Sequence, residues 1–144
     1  MNPALPAIAL DHSGNDLVVA WRTAADQEPA TASLPGGGRA AAATIVRLVE
    51  TLTTHGCELR EFCDWTVGTG PGGFTGLRTL AAFVAGITAG REGIRARGVP
   101  SALALAAAAA RADDDEAALL YPGRDGGAFL YRARRVGAAD WILV

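Results

Sequence analysis

TVGTGPGGFTGLRTLAAFVAGITAG, residues 66 to 90, runs from an apolar stretch through a glycine- and proline-containing loop into an amphipathic segment, the order strand, tight loop, helix. Gly68, Gly70, Gly72 and Gly73 give the loop backbone freedom, whereas Pro71 fixes one φ and donates no hydrogen bond. Only a shaped loop needs both kinds of residue. Gly72 and Gly73 are expected at positive φ, where a β-branched residue would be an outlier. Thr75 is placed to cap the helix that follows. Leu77, Leu80, Val84 and Ile87 then lie on one helical stripe, the expected core face. Arg78, Ala82, Gly86 and Gly90 recur every fourth residue on another face. Glycine inside a helix costs about 1 kcal/mol relative to alanine, so small size along this row is expected to serve the close approach of another element.

Gly68, Gly70 and Gly73 also satisfy G-x-G-x-x-G between a strand and a helix, the pattern of a dinucleotide-binding turn. Two features oppose that reading. Glu92 falls in the turn GREG rather than at the end of the next strand, and the segment before the loop reads as a hairpin rather than a Rossmann opening. An anion held by loop N–H groups at the helix start, around Gly70, Gly72, Gly73, Phe74 and Thr75, needs no side chain and stays open.

Working outward, Ala7 to Asp11 and Leu17 to Arg22 are short apolar segments about HSGND, a predicted β-hairpin, with a third strand over Ala30 to Leu34. PGGGR at 35 to 39 is a break. After it Ile45, Leu48, Val49 and Leu52 form one face of a helix ending near His55 and Gly56, with Arg47, Glu50, Thr51 and Thr54 opposite. His55 is read as a helix-terminal residue interacting with exposed carbonyls. Ile94 to Val99 is a predicted parallel strand, and Pro100-Ser101 opens a third helix through the alanine run 102 to 110. DDDE at 113 to 116 is most simply a solvated turn, since neighbouring carboxylates do not all point one way. Ala117 to Tyr121 and Ala128 to Arg134 read as strands about PGRDGG, and Trp141 to Val144 as an apolar strand that pairs with the main sheet or with another chain.

The chain has 144 residues, half of them hydrophobic, which fits a soluble domain with a real core. Its formal net charge is −2 and it has no block of basic residues, which disfavours a free-standing nucleic-acid binder. All thirteen basic residues are arginine. The absence of lysine removes the phosphate-binding group of a Walker A loop and any Schiff-base chemistry. The N-terminal MNPALPAIALDHSG lacks a basic n-region, so it is not read as a signal peptide, no membrane span is expected, and the expected location is the cytoplasm. Cys57 and Cys63 are expected to be unpaired thiols. Together with His55 and the distant His12 they match no zinc spacing, and no metal or other cofactor is expected.

GPGGFTGLR at 70 to 78 resembles the GPGSFTGLR motif of the bacterial TsaB (YeaZ) proteins, accessory subunits of the machinery that makes threonylcarbamoyladenosine on tRNA. AIALDHSG resembles the first strand of that family, in which Asp-Thr-Ser follows the apolar run; Asp11 and Ser13 match and His12 stands for the threonine. In actin-like ATPases an acidic residue here serves metal and phosphate, whereas a turn-forming role is the simpler reading of Asp11 and the one favoured without nucleotide-site partners. Near Arg124 the match is poor, with Pro122 and Gly123 where the family has Asp and Ala and Gly127 for its Glu.

The resemblance implies an α/β fold, one actin-like (ribonuclease H-like) lobe over 1–112 with a mixed sheet and flanking helices. Residues 113–144 would be the remnant of a truncated second lobe. It implies a non-catalytic subunit that binds a TsaD-type catalytic subunit, with a TsaE-type ATPase in the complex and tRNA reached only through that complex. Alone it would be a homodimer, through Arg78, Ala82, Gly86 and Gly90 with the 39 to 54 helix alongside, and TsaD would compete for that surface. Two other readings remain at this stage. One is a small nucleotide- or anion-binding enzyme using Asp11, Ser13 and the loop, and the other is a degenerate homologue that only self-associates. The chain by itself is expected to hydrolyse no ATP and to modify no tRNA, and steady-state ATP hydrolysis that disappears in Asp11→Asn would contradict this.

Overall fold

The computed structural model describes residues 5–36, 40–111, 113–122, 126–137 and 140–144. The chain forms two compact units, Met1–Val99 and Pro100–Val144. In the first, strands β1 (Ala7–Asp11), β2 (Asp16–Arg22) and β3 (Ala30–Pro35) precede helix α1 (Ala41–Thr54). A 3-10 turn (Leu59–Glu61), β4 (Asp64–Gly68), α2 (Phe74–Thr88) and β5 (Arg95–Val99) follow.

The five-stranded sheet has the order β3-β2-β1-β4-β5. β1 pairs antiparallel with β2, as does β2 with β3, while β1–β4 and β4–β5 are parallel. This mixed pattern follows from the connections: a short turn joins antiparallel neighbours, and a helical crossover such as α2 joins parallel ones. Strand alternation sends Ile8, Leu10, Leu17, Val19, Trp21 and Trp65 to one face, where they are buried. α1 packs on β2 and β3, α2 on β1 and β4, and the two helices pack on each other. Leu48 and Leu52 of α1 and Leu80 and Val84 of α2 close the core. Trp65 is fully buried with its polar edge satisfied, because Nε1 donates to the Phe62 carbonyl at 3.0 Å.

One expectation needs correction here. Val49 is not on the buried face of α1: it is 41% exposed, and the buried stripe is Ala41, Thr44, Leu48 and Leu52. Steps of three, four and four residues drift little on a 3.6-residue helix, and they put Thr44, whose hydroxyl donates to the Ala41 carbonyl at 2.6 Å, where the sequence offers no aliphatic residue. The first compact unit ends at Val99. The alanine-rich helix α3 (Ser101–Ala109) packs on the second sheet, β6 (Glu116–Pro122), β7 (Ala128–Arg135) and β8 (Trp141–Leu143).

That second sheet has the order β6-β7-β8 and is antiparallel throughout, so the apolar C-terminal strand pairs with β7. Ala106 of α3 meets Ala133 and Trp141 in a small core, and the Arg135 guanidinium lies 4.9 Å from the Trp141 ring centre. The acidic run is only partly a turn. Glu116 opens β6 and pairs across the strands with Arg132 and Arg134 at 3.0 and 3.1 Å. The hydrogen bond from Arg132, and then that from Arg134, hold its carboxyl below the usual glutamate range. Parts of PGGGR and PGRDGG, including Arg39 and Arg124, lie outside the described residues.

Truncating the fully buried Leu80 to alanine should cost about 2–5 kcal/mol by urea unfolding. Val46→Ala, at a position 59% exposed, should stay within about 0.5 kcal/mol. Equal losses would place the α1–α2 core elsewhere.

Candidate functional site

The loop between β4 and α2 is bound to the chain that leaves β1. Gly73 N donates to the Ser13 carbonyl at 2.8 Å, and Ser13 N donates to Asp11 Oδ1 at 2.7 Å. Asp11 is therefore a turn former, its carboxylate closing the bend that aims the Ser13 carbonyl at the loop. The peptide Gly70–Pro71 is cis, and Gly70 has φ +89°.

Gly72 and Gly73 were expected at positive φ, and the structure corrects this. Gly73 has φ −62°, Gly70 is the residue in the left-handed region, and Gly72 is required for a different reason. A Cβ on Gly72 would run into the Ser13 backbone. One on Gly76, in the first turn of α2, would lie 2.6 Å from the His12 carbonyl oxygen and 3.0 Å from its ring. On Gly73 it would meet only the Ser13 oxygen, at 3.9 Å. The glycines let β1 and α2 touch backbone to backbone, and Gly76 is the one the sequence reading missed. Its signal was present, since it sits three residues from Gly73 and four before Leu80 on the inward side.

Thr75 does not cap α2. The helix begins at Phe74 with Gly73 as N-cap and no side-chain cap, which puts Thr75 already inside the first turn. One N–H at this end, that of Gly73, is spent on Ser13 rather than offered to an anion. His12, between Asp11 and Ser13, is fully buried, and neither ring nitrogen has a partner among the described residues.

The outer face of α2 carries the row singled out in the sequence. Phe74 is 63% exposed with the Arg78 guanidinium 5.1 Å from its ring centre. Arg78, Ala82, Gly86 and Gly90 are all exposed, Gly90 lying just beyond the helix with φ +68°. A Cβ on Gly86 would meet nothing within 4 Å, so no described part of the chain uses the closeness that glycine permits there. On α1, which packs against α2, Val46 and Val49 are exposed as well. Among the described residues no group of three or more His, Cys, Asp or Glu side chains is assembled to hold a metal ion. Cys57 is buried and Cys63 half-buried, both unpaired, and His55 Nδ1 lies 2.8 Å from the Thr51 carbonyl at the end of α1. Among the described residues no helix is long and apolar enough to cross a membrane.

No protein-family model matches the chain, and no curated protein matches it by sequence. Solved structures do. YeaZ from Pseudomonas aeruginosa superposes with a TM-score of 0.80 at 20% identity, over 98% of this chain and 65% of that one. A structure described as an uncharacterized protein with similarity to peptidase YeaZ, from the same organism, gives 0.80 at 20% identity, over 98% of this chain and 64% of its own. At that identity the likeness establishes the fold: α/β, with the mixed five-stranded sheet and its helices matching part of the actin-like fold of YeaZ. The chain spans about 65% of the length of these structures.

Single alanine substitutions should separate the three glycine environments. Gly72→Ala and Gly76→Ala should each lower stability by about 1–3 kcal/mol, the range for overpacking a filled site. Gly86→Ala should raise it by up to about 1 kcal/mol, because helix propensity improves and nothing is displaced. Thermal unfolding of the three variants checks this, and a neutral Gly72→Ala would show that the loop and the Ser13 backbone are not in contact.

Proposed function

We propose that this chain is a non-catalytic, TsaB-like subunit that docks through the outer face of α1 and α2 onto a TsaD-type catalytic subunit. Its process would be threonylcarbamoyladenosine formation on tRNA, in the cytoplasm, with a TsaE-type ATPase in the same complex and tRNA met only there. The observation that carries the reading is the α2 face itself: Arg78, Ala82 and Gly86 are exposed on a helix whose opposite side is full of core residues. Small residues there allow a partner helix to approach closely, as ridge-into-groove packing requires. The exposed Val46 and Val49 add apolar surface on the helix packed alongside. The YeaZ-like fold and the GPGGFTGLR loop support the family; the loop's part is to fix α2 against β1.

The site chemistry supports an accessory role over an enzymatic one. Asp11 accepts a hydrogen bond from its own turn, and the chain has no lysine to hold a phosphate. Residues 100–144, with α3 on a small antiparallel sheet, would then be part of a second lobe.

Without its partner the protein should self-associate through the same helical face, as a homodimer that the TsaD-type subunit displaces. Ala82→Arg and Gly86→Leu should abolish both associations while leaving circular dichroism and melting near those of the parent, because Ala82 is exposed and a Cβ on Gly86 meets nothing within 4 Å among the described residues. Size-exclusion chromatography with light scattering, and co-purification with the TsaD-type subunit of the same organism, read the result. Variants that stay dimeric, or that unfold instead of dissociating, would place this row in the core and remove the interface.

A further inference from the structure

The five-stranded sheet has a second face, turned away from α1 and α2. Register places Arg22, Ala7, Asp64 and Arg95 side by side across β2, β1, β4 and β5. Ala20, Ala9, Thr66 and Arg97 form the next row. With strands about 4.8 Å apart, the arginines of β2 and β5 stand roughly 14 Å from each other at the backbone. Between them the small residues of β1 and β2 leave a hollow of about 180 Å³ that Arg22, Arg97, Asp64 and Thr66 help to line.

The charges around this hollow are unevenly used. Asp64 Oδ2 is engaged by Arg95 at 3.1 Å. Arg97 Nε donates to Thr66 Oγ1 at 3.2 Å, which fixes the guanidinium and leaves its Nη groups without a partner among the described residues. The Arg22 side chain has no ion pair or hydrogen bond among the described residues, its backbone alone pairing with β1. Two guanidinium groups, those of Arg22 and Arg97, thus line the hollow beside one carboxylate that Arg95 already neutralises, in a chain whose formal net charge is −2. A positive excess within an acidic protein, over a floor of alanine methyl groups, has the chemistry of an oxyanion site. Arginine is the side chain whose planar donor fork matches carboxylate and phosphate.

We propose that this face binds a small organic oxyanion, a carboxylate or phosphate carried on a compact flat body, held by Arg22 and Arg97 with the body resting on Ala7, Ala9 and Ala20. Size sets the class. A hollow of this volume is below the roughly 300 Å³ at which pockets for drug-sized ligands begin, so it takes one anionic group and little more. The site lies on the face opposite the docking helices and does not rest on the subunit assignment.

The test is a ¹⁵N chemical-shift titration of the whole chain with inorganic phosphate and, separately, with benzoate. Saturable shifts centred on Ala9, Ala20 and Thr66 are expected with at least one of them, and the tighter of the two tells phosphate from carboxylate. Arg22→Gln and Arg97→Gln should each weaken that binding by about tenfold or more, the loss of one charge-assisted hydrogen bond. Ala9→Leu, which fills the floor and keeps every charge, should abolish it with melting unchanged. Shifts that fail to saturate with both anions, or saturable binding that survives all three substitutions, would overturn the proposal.

Discussion

The contact on which the first unit depends is the one between the chain leaving β1 and the start of α2. Ser13 gives its carbonyl to Gly73 N, and Gly72 and Gly76 leave no side chain between the two backbones. A parallel β4–α2–β5 crossover can place its helix at many heights over the sheet. This contact selects one, and with it which side of α2 meets Leu10 and Trp65 and which side is left outside. The outward row is therefore a consequence of the loop. If α2 turned by one residue, about 100°, Gly86 would move off the outer face and Arg78 toward the core.

The same contact has an unfavourable part. Holding β1 so close to α2 encloses the His12 imidazole, with both nitrogens unpartnered among the described residues. A buried polar atom left without a hydrogen bond costs about 1–3 kcal/mol. The compensation is local: Asp11 Oδ1 accepts from the Ser13 N–H and the Gly73 N–H donates to the Ser13 carbonyl, so both backbone groups of the residue after His12 are satisfied. Backbone satisfaction comes before side-chain satisfaction here because the turn has to keep its shape for α2 to be seated.

What the sequence made legible was what short-range periodicity encodes. The β1–β2 hairpin, the strand-loop-helix order around the glycines and the Leu80–Val84 stripe all appear as expected, because alternation and helical spacing are local properties. The reason for Gly72 was not legible. Positive φ and close approach both select glycine, and only the three-dimensional meeting with Ser13 tells them apart. Val49 was misplaced because α1 has too few large residues to define its stripe, so that alanine and threonine occupy buried positions that a hydrophobicity pattern assigns to valine. α3 is the extreme case. A run of alanines looks the same from every side, so nothing in it indicated that it packs on β6, β7 and β8 and belongs to the second unit. Glu116 was read as part of a solvated acidic run because its partners, Arg132 and Arg134, become neighbours only once the β6–β7 register is set.

The two faces of the five-stranded sheet show how one alternating pattern serves two ends. On the inner face the side chains are large and apolar, and close-packed burial leaves each strand little freedom to change. On the outer face small residues at Ala7, Ala9 and Ala20 sit beside long charged ones at Arg22, Arg95 and Arg97. Alanine in a strand packs weakly and is disfavoured relative to β-branched residues, so intrinsic strand preference does not account for three of them clustered across two neighbouring strands. Their effect is to open space, and the arginines reach over that space from either side. An arginine that serves only solubility needs no partner and no fixed orientation, whereas Arg97 is held at Nε by Thr66 with its other donors left over. Fixing one donor of a guanidinium lowers the entropy lost when the remaining donors bind. The small floor and the tethered arginine are thus two parts of one arrangement, which is why this face reads as a site rather than as ordinary charged surface.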